Sequence, residues 1–138
     1  MPDKPRYWRA LLCPCGLCPG APSTFPGMVM LQATAEWLEE VERVLGGDPL
    51  LILVGGGYRC PEYAATVEEG IPGPDYHQQG LAVDFTLEKH SPVQAQRHLV
   101  RHLGKLVAGL ASFPGYTHIT RPPAEFLKWR PNVLTPKG

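Results

Sequence analysis

One segment of the chain decides the fold, and its sequence is HQQGLAVDFT, residues 77–86. From residue 81 onward the side chains alternate, which places Asp84 on the strand face opposite to Val83 and Phe85. A carboxylate in so apolar a strand needs a partner, because an isolated buried charge is very costly. The segment therefore predicts a buried strand that carries one specially placed acid.

The other elements are predicted from apolar periodicity and from turn residues on either side of this strand. Helices are predicted over residues 28–45, 61–69 and 91–110, and strands over residues 50–54, 81–86 and 116–120. A Ser-Pro pair at 91–92 marks the start of the third helix. This order predicts an α+β fold, with a small, mainly antiparallel sheet packed with about three helices.

Length and composition indicate a single globular domain. The chain has 138 residues, of which 43% are hydrophobic and 19% are charged, and this suits one compact core. We divide it into a Cys- and Pro-rich N-terminal segment (1–27), a core (28–130) and a tail (131–138).

The charge and hydropathy patterns exclude two classes of partner. Lys and Arg number 13 and Asp and Glu also number 13, so the chain lacks the basic field that nucleic acids or anionic membranes require. No stretch is long and apolar enough for a membrane span or a signal-peptide core. We therefore expect no nucleic-acid partner, no membrane insertion, and synthesis in the cytoplasm without a signal peptide.

Three residues have the chemistry of a catalytic zinc site. His77 and Asp84 flank Gly80, a residue that permits close backbone approach, and His118 lies in the strand predicted over 116–120. Catalytic zinc takes three protein ligands, usually imidazole nitrogens and carboxylate oxygens, and keeps a fourth position open. The spacing alone leaves an alternative, in which Asp84 caps a turn and His118 is a satisfied core histidine.

Four cysteines suggest a second site. Cys13, Cys15 and Cys18 form a C-x-C-x-x-C pattern, and Cys60 lies far along the chain. Three closely spaced thiolates and one distant thiolate can form a closed structural zinc site. Two disulfides, or four free thiols, are the alternatives.

Three segments also carry motifs of a known family, and they are GYRCPEY (57–63), HQQGLAVD (77–84) and FPGYTHI (113–119). In this order they resemble the motifs of the zinc D-alanyl-D-alanine carboxypeptidase family, whose fold is shared with hedgehog-type domains. Arg121 and Trp129 resemble the closing part of the family's pattern, so the resemblance spans about residues 25–130. Some phage-type members are similar in pairing a Cys-rich N-terminal segment with a cysteine after the Gly-Tyr-Arg triplet.

The resemblance implies an activity. The family cleaves peptidoglycan stem peptides at bonds involving D-alanine, or L-alanyl-D-glutamate bonds in phage endolysins. It implies that His77, Asp84 and His118 ligate zinc, and that a metal-activated water attacks the peptide carbonyl. It also implies that Arg59 grips a substrate carboxylate or polarises the scissile carbonyl, which suits a planar guanidinium. Such a protein would act on the cell wall after release, or as part of a phage particle.

The chain departs from the family where the general base is expected. Family members carry a base three residues before, two before or two after the third ligand, and these positions are Gly115, Tyr116 and Thr120 here. Asp75, two residues before the first histidine, can substitute as a base or as a partner of a ligand, and the alternative is a solvated loop carboxylate. Tyr116 can donate a hydrogen bond to an oxyanion. The catalytic candidates are therefore Arg59, Asp75 and Tyr116.

Two other functions stay open from the sequence. The missing base favours a non-catalytic zinc-bearing structural or binding module, such as a phage virion or tail component with assembly partners. A metal-dependent amidase acting on another small peptide is a third hypothesis.

Overall fold

The computed structural model describes residues 6–18, 25–67 and 76–122, with the backbone alone for residues 25–30. The elements in chain order are a 3-10 turn Arg9–Leu11, α1 Phe25–Val44, β1 Leu50–Ile52, α2 Pro61–Ala64, β2 Ala82–Leu87, α3 Pro92–Leu99, a 3-10 turn Val100–His102, β3 Gly109–Phe113 and β4 Tyr116–Thr120. The strands form one sheet in the order β1-β2-β4-β3, and each neighbouring pair is antiparallel. The predicted α+β fold is confirmed.

Helix α1 supplies one side of the core. Its residues Leu31, Ala35, Leu38 and Val41 recur at helical spacing and are at most 1% exposed. They belong to the same apolar cluster as Val83 of β2. Burying a large aliphatic side chain in such a cluster contributes about 1.5–3 kcal/mol. The core therefore holds α1 against the sheet.

The register of β2 and β4 separates the core from the polar centre of the molecule. Val83 pairs with Ile119 and Asp84 pairs with His118, so each pair shares one face of the sheet. Val83 and Ile119 are fully buried in the apolar cluster. Asp84 and His118 consequently lie together on the opposite face.

The prediction of a helix over residues 91–110 is wrong in its second half. Helix α3 starts at the predicted cap, where the Ser91 hydroxyl accepts from the Gln94 N–H at 3.2 Å. It ends at Leu99, and Gly104 then adopts a φ of +89°, which the helix does not permit. Residues 109–113 form β3, which pairs with β4 along its whole length.

The predicted and observed bounds of other helices and strands differ by a few residues. Helix α1 covers 25–44 rather than 28–45, α2 stops at residue 64 rather than 69, and β1 stops at residue 52 rather than 54. Strand β1 is shorter because the chain turns there, with the Gly56 N–H donating to the Leu53 carbonyl at 2.7 Å. Within the described ranges, no helix combines the length and apolarity needed to cross a membrane.

Candidate metal centres

The structure brings together the three residues that the sequence predicted as zinc ligands. One ligand atom from each of His77, Asp84 and His118 lies within 4.8 Å of the others. All three residues are buried, with exposures of 2%, 2% and 4%. We call this group the His–Asp–His centre.

Two neighbouring strands hold Asp84 and His118 face to face. Nδ1 of His118 lies 2.8 Å from Oδ1 of Asp84, because the two residues are direct cross-strand partners. On the edge of β2 that faces away from β4, two hydrogen bonds fix the backbone of Asp84. Its N–H donates to the Gly56 carbonyl at 2.8 Å, and its carbonyl accepts from the Leu53 N–H at 3.0 Å. The turn that shortens β1 therefore clamps the acid of the centre.

A tight turn presents His77, whose Nε2 lies 3.4 Å from Oδ1 of Asp84. The turn closes at Gly80, which has a φ of +75° and donates its N–H to the His77 carbonyl at 3.2 Å. The Thr34 hydroxyl of α1 donates to the Gly80 carbonyl at 2.6 Å. Arg121 donates to that same hydroxyl at 2.9 Å. Helix α1 and the end of β4 thus brace the turn from outside.

Each histidine has a polar partner on the ring nitrogen that faces away from Asp84. Nδ1 of His77 lies 2.9 Å from the Gly57 carbonyl, which can only accept, so Nδ1 carries a proton and Nε2 is the ring nitrogen that faces Asp84. Nε2 of His118 lies 3.2 Å from the Thr120 hydroxyl, which leaves Nδ1 facing Asp84. Partners of this kind orient histidine ligands in metal sites.

Arg59 forms an ion pair with the second carboxylate oxygen of Asp84. Its terminal nitrogen donates to Oδ2 at 2.9 Å, and its Nε donates to the Gly55 carbonyl at 2.7 Å. The Arg59 side chain is 6% exposed, so this ion pair is almost fully desolvated. Oδ1 is left to face the two imidazoles.

The protonation state of Asp84 is the one that a metal ligand requires. Burial raises the pKa of this carboxyl, but its hydrogen bonds with His118 and His77 outweigh burial and hold the pKa well below its usual range. Asp84 is therefore ionised throughout the neutral pH range. Two imidazole nitrogens and one carboxylate oxygen match the donor set of catalytic zinc, so the residues fit that ion.

A cavity of about 180 Å³ lies beside the centre, and Arg59, Asp84 and Tyr116 are among its lining residues. Tyr116 is half-buried and stacks on Phe113 with 4.8 Å between ring centroids. Among the described residues that line this cavity, Asp84 is the one carboxylate. Asp75, the predicted base, lies outside the described residues, and so does Trp129.

The four cysteines form a second candidate centre, which we call the thiol cluster. The Sγ atoms of Cys13, Cys15, Cys18 and Cys60 all lie within 4.8 Å of one another, and none of the four forms a disulfide. Cys13 and Cys60 are buried, while Cys15 and Cys18 are half-buried. The segment 13–18 and the residue that precedes α2 therefore meet at one point.

Two of these thiols have shifted pKa values. A hydrogen bond from the Leu17 N–H lowers the pKa of Cys15 to about 6, against the opposing effect of burial. The Tyr63 N–H lowers the pKa of Cys60, but burial and hydrogen bonds with Cys15 and Cys13 outweigh it and raise that pKa. The half-buried Cys15 thiol is thus readily deprotonated, whereas the neighbouring Cys60 thiol holds its proton more strongly.

Comparison of the chain with protein-family models, with curated proteins and with solved structures found no match. Among residues 6–18, 25–67 and 76–122, two groups are able to hold a metal ion, and both donor sets are consistent with zinc.

Several residues that support the His–Asp–His centre could not be identified from the sequence. The carbonyl of Gly57 acts through its backbone, so its residue type gives no signal. Thr120 and Thr34 are ordinary residues of a strand and a helix, and only tertiary packing gives them roles. The run of three glycines at residues 55–57 is the one local signal, because such a run indicates close backbone contact.

Proposed function

We propose that this protein is a zinc-dependent peptidase that cleaves peptidoglycan stem peptides, as a D,D-carboxypeptidase or an endopeptidase. The observation that supports it best is the convergence of His77, Asp84 and His118 beside a cavity lined by Arg59 and Tyr116. A structural zinc site is normally closed by four ligands, whereas three ligands beside a cavity suit a catalytic one. The order of the three motifs along the chain points to the same peptidase family.

The ligands have fixed roles in this proposal. His77 binds through Nε2 because the Gly57 carbonyl holds its Nδ1–H, and His118 binds through Nδ1 because Thr120 occupies its Nε2. Asp84 binds through Oδ1 because Arg59 holds Oδ2. A zinc ion bound there would supply a Lewis acid that polarises a carbonyl and activates water.

Other residues of the chain would handle the substrate. Arg59 lines the cavity, so a carboxylate at the end of a stem peptide would meet a guanidinium there. Tyr116 lines the same cavity and would donate its phenolic hydrogen to the oxygen of the tetrahedral intermediate. We assign proton transfer to Asp75 from its position two residues before His77 in the sequence.

One observation favours a second candidate function, a non-catalytic zinc-bearing module such as a part of a phage particle. The described residues around the cavity offer no carboxylate except Asp84, which is engaged by Arg59 and His118. In that case the ion would serve stability or assembly, and Asp75 would have no role in proton transfer.

Digestion of purified muropeptides distinguishes the two functions. The zinc-loaded protein is incubated with stem peptides that end in D-alanyl-D-alanine and with cross-linked dimers, and the products are followed by mass spectrometry over a range of pH. A peptidase releases D-alanine or divides the stem, and the products identify the bond cleaved. His118→Ala is expected to abolish cleavage.

Asp75→Asn tests the assignment of the base. We expect its kcat to fall by at least about 100-fold, as is usual when a general base is removed, with zinc content unchanged. Failure of the wild-type protein to cleave any stem at any pH, with one zinc held at the His–Asp–His centre, would establish the non-catalytic module.

A further inference from the structure

We propose that the thiol cluster binds a second, structural zinc ion. This ion would hold the N-terminal segment against residues 55–60, which we call the 55–60 loop. The same loop supports the His–Asp–His centre. The ligands are the four thiolates of Cys13, Cys15, Cys18 and Cys60. The site thus belongs to the closed, four-cysteine class.

The sulfur spacing has the dimensions of a zinc tetrathiolate. With Zn–S bonds of about 2.3 Å, a tetrahedron has sulfur–sulfur edges of about 3.8 Å. The Sγ atoms of Cys15 and Cys60 are 3.7 Å apart, and the whole cluster lies within 4.8 Å. A disulfide requires sulfurs about 2.05 Å apart. The geometry therefore favours a shared ion over paired cysteines.

Backbone N–H groups also point at the sulfurs. Leu17 donates to Sγ of Cys15 at 3.3 Å, and Cys60 donates to Sγ of Cys13 at 3.5 Å. Such donors compensate the negative charge of thiolate ligands, as the outer partners of metal ligands generally do. The second of these bonds also joins the N-terminal segment to the residue that follows Arg59.

The 55–60 loop touches the thiol cluster on one side and the His–Asp–His centre on the other. On the first side, the Tyr58 N–H donates to the Leu11 carbonyl at 2.8 Å. Gly57 packs so closely there that a Cβ atom would lie 2.5 Å from Cα of Leu11. On the other side, the Gly57 carbonyl holds His77 and Arg59 holds Asp84.

This placement predicts coupling between the two metal ions. The coupling is reciprocal, so an ion in either site raises the affinity of the other site by the same factor. Loss of the structural zinc would free residues 13–18 from the 55–60 loop and loosen the partners of His77 and Asp84, although Tyr7, Trp8 and Leu11 stay anchored in the core. We expect the zinc affinity of the His–Asp–His centre to fall by about 10–100-fold, the usual effect of losing such partners. Loss of His118 would leave all four thiolates in place, because His118 lies on β4 and not in the 55–60 loop, so the thiol cluster would still bind its own ion. This coupling rests on the proposed zinc at the His–Asp–His centre.

Metal counting on the full chain tests the proposal directly. The reduced, metal-free protein is loaded with zinc and analysed for bound metal, and a parallel sample is titrated with cobalt(II). Wild type is expected to hold two ions and to show the intense near-ultraviolet charge-transfer band of thiolate-bound cobalt. His118→Ala should hold one ion and keep the band, whereas Cys15→Ser should lose it. Leu17→Ser, a change in the same loop at a side chain that is 94% exposed, is the matched control and should keep both ions.

A wild-type measurement remains decisive if Cys15→Ser fails to fold. Zinc should protect all four thiols from alkylation, as counted by mass spectrometry, and a chelator should expose them. Four thiols that alkylate equally with and without zinc, or two disulfides in the isolated protein, would overturn the proposal. Absence of the thiolate band in His118→Ala would also refute it. None of these readouts depends on peptidase activity, so the proposed function can fail while the thiol site stands, and the reverse also holds.

Discussion

Arg59 and His118 bind different oxygens of the Asp84 carboxylate. The guanidinium donates to Oδ2 at 2.9 Å, while Nδ1 of the imidazole lies 2.8 Å from Oδ1. Each contact fixes the other, because the carboxylate cannot rotate without losing both. Arg59 therefore orients a candidate metal ligand, and this role is separate from any contact with a substrate.

We predict that Arg59→Lys lowers the zinc affinity of the His–Asp–His centre by about 10–100-fold. Lysine keeps the charge but lacks the planar fork that reaches Asp84 and the Gly55 carbonyl together. Competition against a chelator of known affinity measures the effect. Arg97→Lys, an exposed change on α3, is the control and should leave the affinity unaltered. Equal affinities for both variants would show that Arg59 does not orient Asp84.

Two buried threonines of β4 provide a matched pair for the second prediction. Thr120 contacts Nε2 of His118 at 3.2 Å, whereas the Thr117 hydroxyl donates to the Pro92 carbonyl of α3 at 3.5 Å. Thr120→Val should lower zinc affinity about 10-fold, because His118 loses the partner that orients its ring. Thr117→Val should lower stability by about 1 kcal/mol and leave zinc affinity unchanged. Similar effects on zinc from both changes would contradict a specific role for Thr120.

The central strands could be predicted from sequence because their pattern is local. Alternation places Asp84 on the face opposite to Val83 and Phe85 in β2, and the structure then pairs it directly with His118 of β4. Residues 107–111 were harder, since their short run of small and apolar residues fits both a helix and a strand. Pairing with β4, which is a tertiary interaction, favours the strand over the helix. Gly104 was the available signal that the helix ends earlier.

The candidate metal centres also combine features that are visible in the local sequence with features that depend on tertiary contacts. The ligand types were visible in the sequence because His77, Asp84 and Cys60 stand in motifs. Their partners were not visible, because a hydroxyl such as that of Thr120, or a carbonyl such as that of Gly57, acquires its role only when distant segments meet.

Gly56 gives a third prediction, because it packs against the backbone of Asp84. A Cβ atom there would lie 2.7 Å from the Asp84 carbonyl oxygen and 3.2 Å from its Cβ. Gly56→Ala should therefore displace the ligand, lowering stability by about 1–3 kcal/mol together with zinc affinity. Denaturant unfolding and chelator competition measure the two effects.

Gly46→Ala is the control for this change. Gly46 has a φ of +76° and open space around it, so alanine should cost about 1–2 kcal/mol through backbone strain alone. Its zinc affinity should equal that of wild type. If both variants bind zinc like wild type, contact with Gly56 does not position Asp84.

The last prediction concerns acid stability and Asp48, a carboxylate that belongs to neither candidate metal centre. Asp48 is 2% exposed, and its Oδ2 accepts from the Lys89 N–H at 2.8 Å and contacts Nδ1 of His90 at 2.9 Å. Burial raises the pKa of Asp48, but the contacts with His90 and Lys89 outweigh it, so its pKa lies below the ordinary value. A carboxyl with a lowered folded-state pKa stabilises the fold above its unfolded pKa of about 3.9, and this contribution is lost as the pH falls below that value.

Asp48→Asn should therefore be less stable than wild type at neutral pH, and the difference should narrow as the pH falls below about 4. Denaturant unfolding of the metal-free proteins between pH 3 and 7 measures this, since zinc release would otherwise add its own pH dependence. Glu36→Gln, which changes an exposed carboxylate of α1, should follow the wild-type curve throughout. A constant difference between Asp48→Asn and wild type across this range would mean that the carboxylate charge contributes nothing, and that Asp48 acts only through its shape.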